Sequence, residues 1–133
     1  MGIAYYCPSC WSEVRTVTVC PVCGADLRRL ANEDYEQKLI RALHHPEPTV
    51  PIRAATILGL LGSQAAVGPL IELALSCEDF YIQEGTVAAL GRIGDRRAVS
   101  CLERLGRDGA LRVREAARRA LQLLGDFKNA ARP

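Results

Sequence analysis

A single spacing constrains this chain more than any other feature. Gly62, Gly94 and Gly125 stand 32 and then 31 residues apart. Four residues before each glycine is Leu58, Leu90 or Leu121, and one before is Leu61, Ile93 or Leu124. Twelve before is Val50, Ile82 or Val113. After the first two glycines come Ala66-Val67 and Ala98-Val99, then Leu70 and Leu102. Leu39-Ile40 carries the register 31 residues upstream of Leu70. Apolar anchors held in phase at a period near 31 predict a stack of helix pairs, each too small to bury its own apolar face alone.

One unit, from Phe80 to Asp108, shows how each pair is built. At 3.6 residues per turn, Ile82, Val87, Leu90 and Ile93 share a face, as do Val99, Leu102 and Leu105. Gly94 accepts a left-handed helix end and Asp95 caps the next helix. The same logic predicts helices at 49–61, 64–75, 79–93, 96–106 and 110–124. An earlier helix starts from Asn32 or Asp34 and ends near His44 and His45, where Pro46 and Pro48 stop it. Residues 28–32 read as a short link. Residues 126–133 read as a tail or the start of another unit.

These residues resemble a known family. VREAARRALQLLG (113–125) and GDRRAVSCLERL (94–105) are similar to HEAT repeats of the short type, also called PBS-lyase-like or E-Z repeats, and LIRALHHPEPTV (39–50) matches one second helix and the turn after it. The resemblance covers roughly 34–125 and implies an all-α solenoid of about three helix pairs. Pro51 and Gln83 stand where the family usually has Arg, which Arg114 keeps, and Arg53 and Gly85 replace a usual small Ala. In this family the second helices line the concave face. Arg41, Glu72 and Arg104 occupy equivalent positions on those helices, so the resemblance implies an alternating charge row, either a surface ion-pair ladder or a strip that a partner reads. Iron enzymes built on this repeat use repeated His-Glu pairs. No His-Glu dipeptide occurs here, so His44, His45 and Glu47 are not expected to hold a metal.

Residues 1–30 obey different rules. CPSC (7–10) and CPVCG (20–24) place two CxxC pairs with nine residues between them. Each pair suits a tight knuckle, and two knuckles offer Cys7, Cys10, Cys20 and Cys23 as a tetrahedral thiolate set. That set predicts one structural Zn²⁺ per chain; iron has the same ligand requirements. Disulfides fit less well, because nothing suggests export. The β-branched run from Val14 to Val19 suits a strand entering the second knuckle, and Tyr5-Tyr6 one entering the first. Trp11 suits covering the metal and the neighbouring helix, or else stacking or docking a partner. The segment resembles a short zinc ribbon and is too small to fold without metal.

Composition narrows the function. No apolar run approaches the roughly 18–20 residues of a membrane span, and the first residues do not read as a signal peptide, so the expected compartment is cytoplasmic. Residues 80–133 hold 11 Lys and Arg against 6 Asp and Glu, while residues 1–79 hold 6 against 9. Four thiolates leave a metal no open position, and no nucleophile–base order or phosphate-binding glycine loop occurs. The chain therefore reads as a non-catalytic adaptor for a protein partner: ribbon 1–30, solenoid 31–125, tail 126–133. The alternative is a nucleic-acid-binding accessory protein using the ribbon and the Arg-rich last helices, with Arg112, Arg118 and Arg119 exposed. A bilin-lyase role is suggested by the name of the repeat subtype alone.

Overall fold

The computed structural model describes residues 5–16 and 18–130. Among these, a two-stranded ribbon precedes seven α-helices. Strand β1 (Tyr5–Tyr6) pairs antiparallel with β2 (Glu13–Val14), Tyr6 opposite Glu13. The second strand is shorter than its β-branched run suggests. Thr16 Oγ1 accepts from the Thr18 N–H at 3.4 Å and lies 3.0 Å from the Thr18 hydroxyl, a local turn that competes with strand pairing. Val17, in the middle of the run, lies outside the described residues. Pairing resumes only at an isolated bridge between Val19 and Asp26.

Helix α1 (Leu27–Ala31) replaces the expected link. Asp26 accepts from the Arg28 and Arg29 N–H groups at 3.1 and 3.2 Å, and Leu27 and Leu30, one turn apart, both turn inward. With Val14, Cys7 and Cys20 they form a small core of their own, separate from the helical core.

The solenoid comprises α2 (Tyr35–Ala42), α3 (Thr49–Leu61), α4 (Val67–Ser76), α5 (Phe80–Ile93), α6 (Val99–Asp108) and α7 (Leu111–Ala130). Helices α3, α5 and α7 pack side by side as the first-helix row; α2, α4 and α6 are the second helices. The repeat anchors are where the period puts them. Leu58, Leu70, Leu90 and Leu102 have no exposed surface, and truncating any one to alanine costs about 2–5 kcal/mol. Leu61 departs from the pattern at 55% exposed, whereas Ile93 and Leu124 pack against the core.

Gly62 and Gly94 end their helices at φ 64° and 74°. The residues just after each glycine hold the turn in place. Ser63 and Asp95 cap short 3₁₀ turns, Gln64–Ala66 and Arg96–Ala98, that lead into α4 and α6. The third stop is not used: α7 runs through Gly125 to Ala130, so the boundary expected at 125 is not a helix end. Glycine permits a left-handed turn without imposing one, and among the described residues no second helix packs back after Gly125.

Candidate metal centre

Two turns of one design hold the four cysteines. In the first, the Trp11 N–H donates to the Cys7 carbonyl at 2.7 Å and the Cys7 N–H to the Ser12 carbonyl at 2.9 Å. In the second, the Gly24 N–H donates to the Cys20 carbonyl at 2.9 Å and the Cys20 N–H to the Ala25 carbonyl at 3.0 Å. The fifth residue of each knuckle is left-handed, Gly24 at φ 77° and Trp11 at φ 60°. Glycine accepts this freely; for tryptophan it costs roughly 1–2 kcal/mol, which its packing must offset.

All four Sγ atoms lie within 4.8 Å of one another. Cys7 and Cys23 are 3.7 Å apart, as are Cys10 and Cys20. A tetrahedral ion with sulfur at about 2.3 Å sets its ligands about 3.8 Å apart, so the spacing fits. It does not fit disulfides, which need about 2.05 Å, and all six cysteines are free thiols. Among the described residues this is the one cluster of three or more metal-ligating side chains. Cys7 and Cys20 are buried, Cys10 is half-buried and Cys23 is exposed.

The metal-free thiols differ in acidity. Burial pushes Cys7 up to about 11. Hydrogen bonds from Ser12, side chain first and then backbone, bring Cys10 down to about 6. Backbone bonding at Cys23, ahead of the burial that opposes it, lowers Cys20. The Val22 N–H also points at the Cys20 sulfur from 3.4 Å. Two sulfurs thus sit where negative charge is welcome, and a bound cation would supply what the buried Cys7 thiolate lacks.

The ribbon meets the solenoid at His45. Its ring lies 5.0 Å from that of Tyr6 and 4.9 Å from that of Trp11, and its Nδ1 accepts from the Glu47 N–H at 3.0 Å. Trp11 thus meets the loop that follows α2, which is the part of its expected covering role on view, and His45 gains a place in the joint. Beside it, Arg41 donates twice to Glu33, at 2.6 and 2.8 Å. That guanidinium, through its hydrogen bonds above all, holds the Glu33 carboxyl below its ordinary range. Arg41 and Glu33 line a polar cleft of about 220 Å³ with Ser9, Asp26 and Arg29.

The three row residues sit on α2, α4 and α6 as expected. Glu72 and Arg104 are exposed, and Arg41 is half-buried and engaged by Glu33. Among the described residues no ion pair joins any two of the three. Of the Arg-rich last helix, Arg112, Arg118 and Arg119 are exposed. Arg112 pairs with Glu84 at 2.9 Å and lies 5.1 Å over the Tyr81 ring. Arg114, at the family's usual Arg position, leaves its buried Nε without a partner, while Gln83 bonds the Ala74 carbonyl at 3.0 Å. The joint around His45 escaped sequence reading, because no spacing rule links Tyr6 and Trp11 to a loop more than thirty residues away. The one available signal was a tryptophan at the glycine position of a knuckle.

Comparison with known proteins agrees with this architecture. A family model described as HEAT repeats matches residues 36–122. Chains of solved structure also match, among them human deoxyhypusine hydroxylase in complex with glycerol, at 22% identity and a TM-score of 0.67. The alignment covers 83% of this chain and 41% of that one, so this chain spans less than half of that enzyme's length. At this identity the likeness shows the fold alone. No curated protein sequence matches significantly.

Proposed function

The chain belongs to the HEAT-repeat family, and from that premise we propose that it is a non-catalytic protein-binding module whose ribbon is folded by one structural zinc ion and closes one end of the solenoid. The observation that carries the metal reading is the sulfur geometry, four thiols within 4.8 Å on two matched knuckles. A zinc ion there would be held by Cys7, Cys10, Cys20 and Cys23. Four thiolates saturate a tetrahedral ion, which supports a structural role. The solenoid supports the binding role, because stacked repeats present long continuous surfaces. On the second-helix face Glu72 and Arg104 are free to meet a partner's charges, while Arg41 is engaged by Glu33.

Affinity capture with mass spectrometry tests this reading. A specific protein should be retained by the parent and lost at least several-fold with Glu72→Arg, which inverts one charge of the row. Equal capture by the variant would move the contact off that face. Recovery of nucleic acid alone, released steeply by salt, would replace the reading with a nucleic-acid accessory role. Arg112 speaks against that alternative, since its charge is already met by Glu84.

A further inference from the structure

A groove of about 210 Å³ runs between α5 and α7 on the first-helix row. Ala88, Ala116, Ala120 and Leu123 supply its apolar lining, and Glu84, Arg92 and Arg119 its polar lining. The rim charges are not equivalent. Glu84 is taken by Arg112 at 2.9 Å. Arg92 and Arg119 pair with no carboxylate among the described side chains, and the Arg119 Nε reaches only its own helix's Glu115 carbonyl, at 3.5 Å. Leu123 is 42% exposed at one edge. The groove thus combines an apolar floor with two uncompensated guanidinium groups, in the half of the chain that carries the positive excess.

We propose that this groove binds an acidic amphipathic peptide segment of a partner protein, one apolar side chain resting on the alanine floor and flanking carboxylates meeting Arg92 and Arg119. Guanidinium forks match carboxylates in shape and charge, and a groove between two helices receives a third amphipathic helix along its apolar face. A nucleic-acid backbone would meet the alanines and the Glu84 carboxylate, neither of which recognises phosphate. The proposal rests on the reading of the chain as a protein-binding module and adds a face distinct from Glu72 and Arg104.

The test is fluorescence anisotropy of the full chain with a fluorescein-labelled peptide, leucine at every third or fourth position and glutamate between, at low salt. Saturable binding is expected. Arg92→Glu combined with Arg119→Glu should weaken it at least about tenfold, the cost of removing two charge partners. Ala88→Trp, at an exposed position, should fill the groove and weaken binding comparably without lowering the melting temperature. Lys38→Glu, a charge reversal at an exposed position of α2, should leave the affinity unchanged. Absence of binding, or binding indifferent to both groove changes, overturns the proposal. Binding lost in Glu72→Arg instead assigns the peptide to the second-helix face, so the groove falls while the protein-binding reading stands. Tighter binding of a lysine-for-glutamate peptide or of a labelled oligonucleotide also overturns it.

Discussion

Gly91 of α5 lies so close to Ala120 of α7 that a Cβ placed on it would come within 2.8 Å of both the Cα and the Cβ of Ala120. The equivalent crossing one repeat earlier, Gly59 over Ala89, would bring a Cβ to 3.0 Å of the Ala89 Cα. Two backbones cannot yield as a long side chain can. Gly91→Ala should therefore cost about 1–3 kcal/mol of overpacking, more than the roughly 1 kcal/mol of helix propensity it gains. Gly68, in α4, has nothing within 4 Å. Gly68→Ala should leave stability unchanged or raise it by up to about 1 kcal/mol. Thermal melts of the two variants should move in opposite directions from the parent, or Gly68→Ala should not move at all. Equal destabilisation of both would refute the crossing as the cause.

The separate small core around the cysteines predicts how the chain comes apart. Purified protein should carry one zinc per chain by elemental analysis, with no disulfides on thiol titration. Cys20→Ser should abolish stoichiometric metal and unfold the first 30 residues, because metal binding supplies their folding free energy. Most of the helical circular dichroism should survive, since the solenoid core draws no residue from the ribbon. Loss of the helices along with the metal would make the ribbon an integral part of the stack.

Asp95 caps the turn into α6 and bonds Arg97, whose Nη2 reaches back 3.2 Å to the Gln64 carbonyl of the preceding turn. The Arg97 side-chain bond, ahead of the backbone N–H bond, holds the Asp95 carboxyl below its ordinary 3.8. A carboxyl depressed on folding adds stability that is complete above its unfolded value and is lost as pH falls through the folded one. Asp95→Asn keeps a capping side chain but removes the charge. The melting-temperature gap between parent and Asp95→Asn should be constant from about pH 7 to 5 and close below 3.8. A gap that persists unchanged at pH 3 would rule the ion pair out.

Glu72 is exposed and, among the described residues, unpaired. Surface charges of this kind contribute about 1 kcal/mol or less. Glu72→Arg should shift the melting temperature by only a few degrees. A larger drop, measured by calorimetry, would mean that the side chain stabilises the stack and is not a free contact for a partner.

The helical part was legible because its signal is redundant. Leu58 and Leu90, Leu70 and Leu102, and Gly62 and Gly94 each repeat one physical requirement, so any one of them could have failed without hiding the pattern. The clustering of the four cysteines was legible for a different reason, since two CxxC knuckles on a short hairpin bring four sulfurs together. Besides the joint at His45, other features were not. Helix α1 depends on Leu27 and Leu30 finding the knuckles beneath them, which no local pattern records. The run of α7 through Gly125 was not marked either, because a glycine permits a left-handed stop without imposing one. Arg41 shared a repeat position with Glu72 and Arg104, yet it lies nearest the ribbon, where Glu33 claims it. Equivalence by register does not survive at the edge of a stack, because the neighbours there are different.

Trp11 is the chain's one tryptophan, and its ring faces His45 at the seam between ribbon and solenoid. The protein therefore carries an unlabelled optical gauge at the only place where its two parts touch through aromatic rings among the described residues. Emission excited at the indole band reports that seam together with the first knuckle, to which Trp11 belongs. Chelator titrations followed in this one channel, alongside far-ultraviolet dichroism for the helices, would time the parting of the seam independently of any melting of the stack.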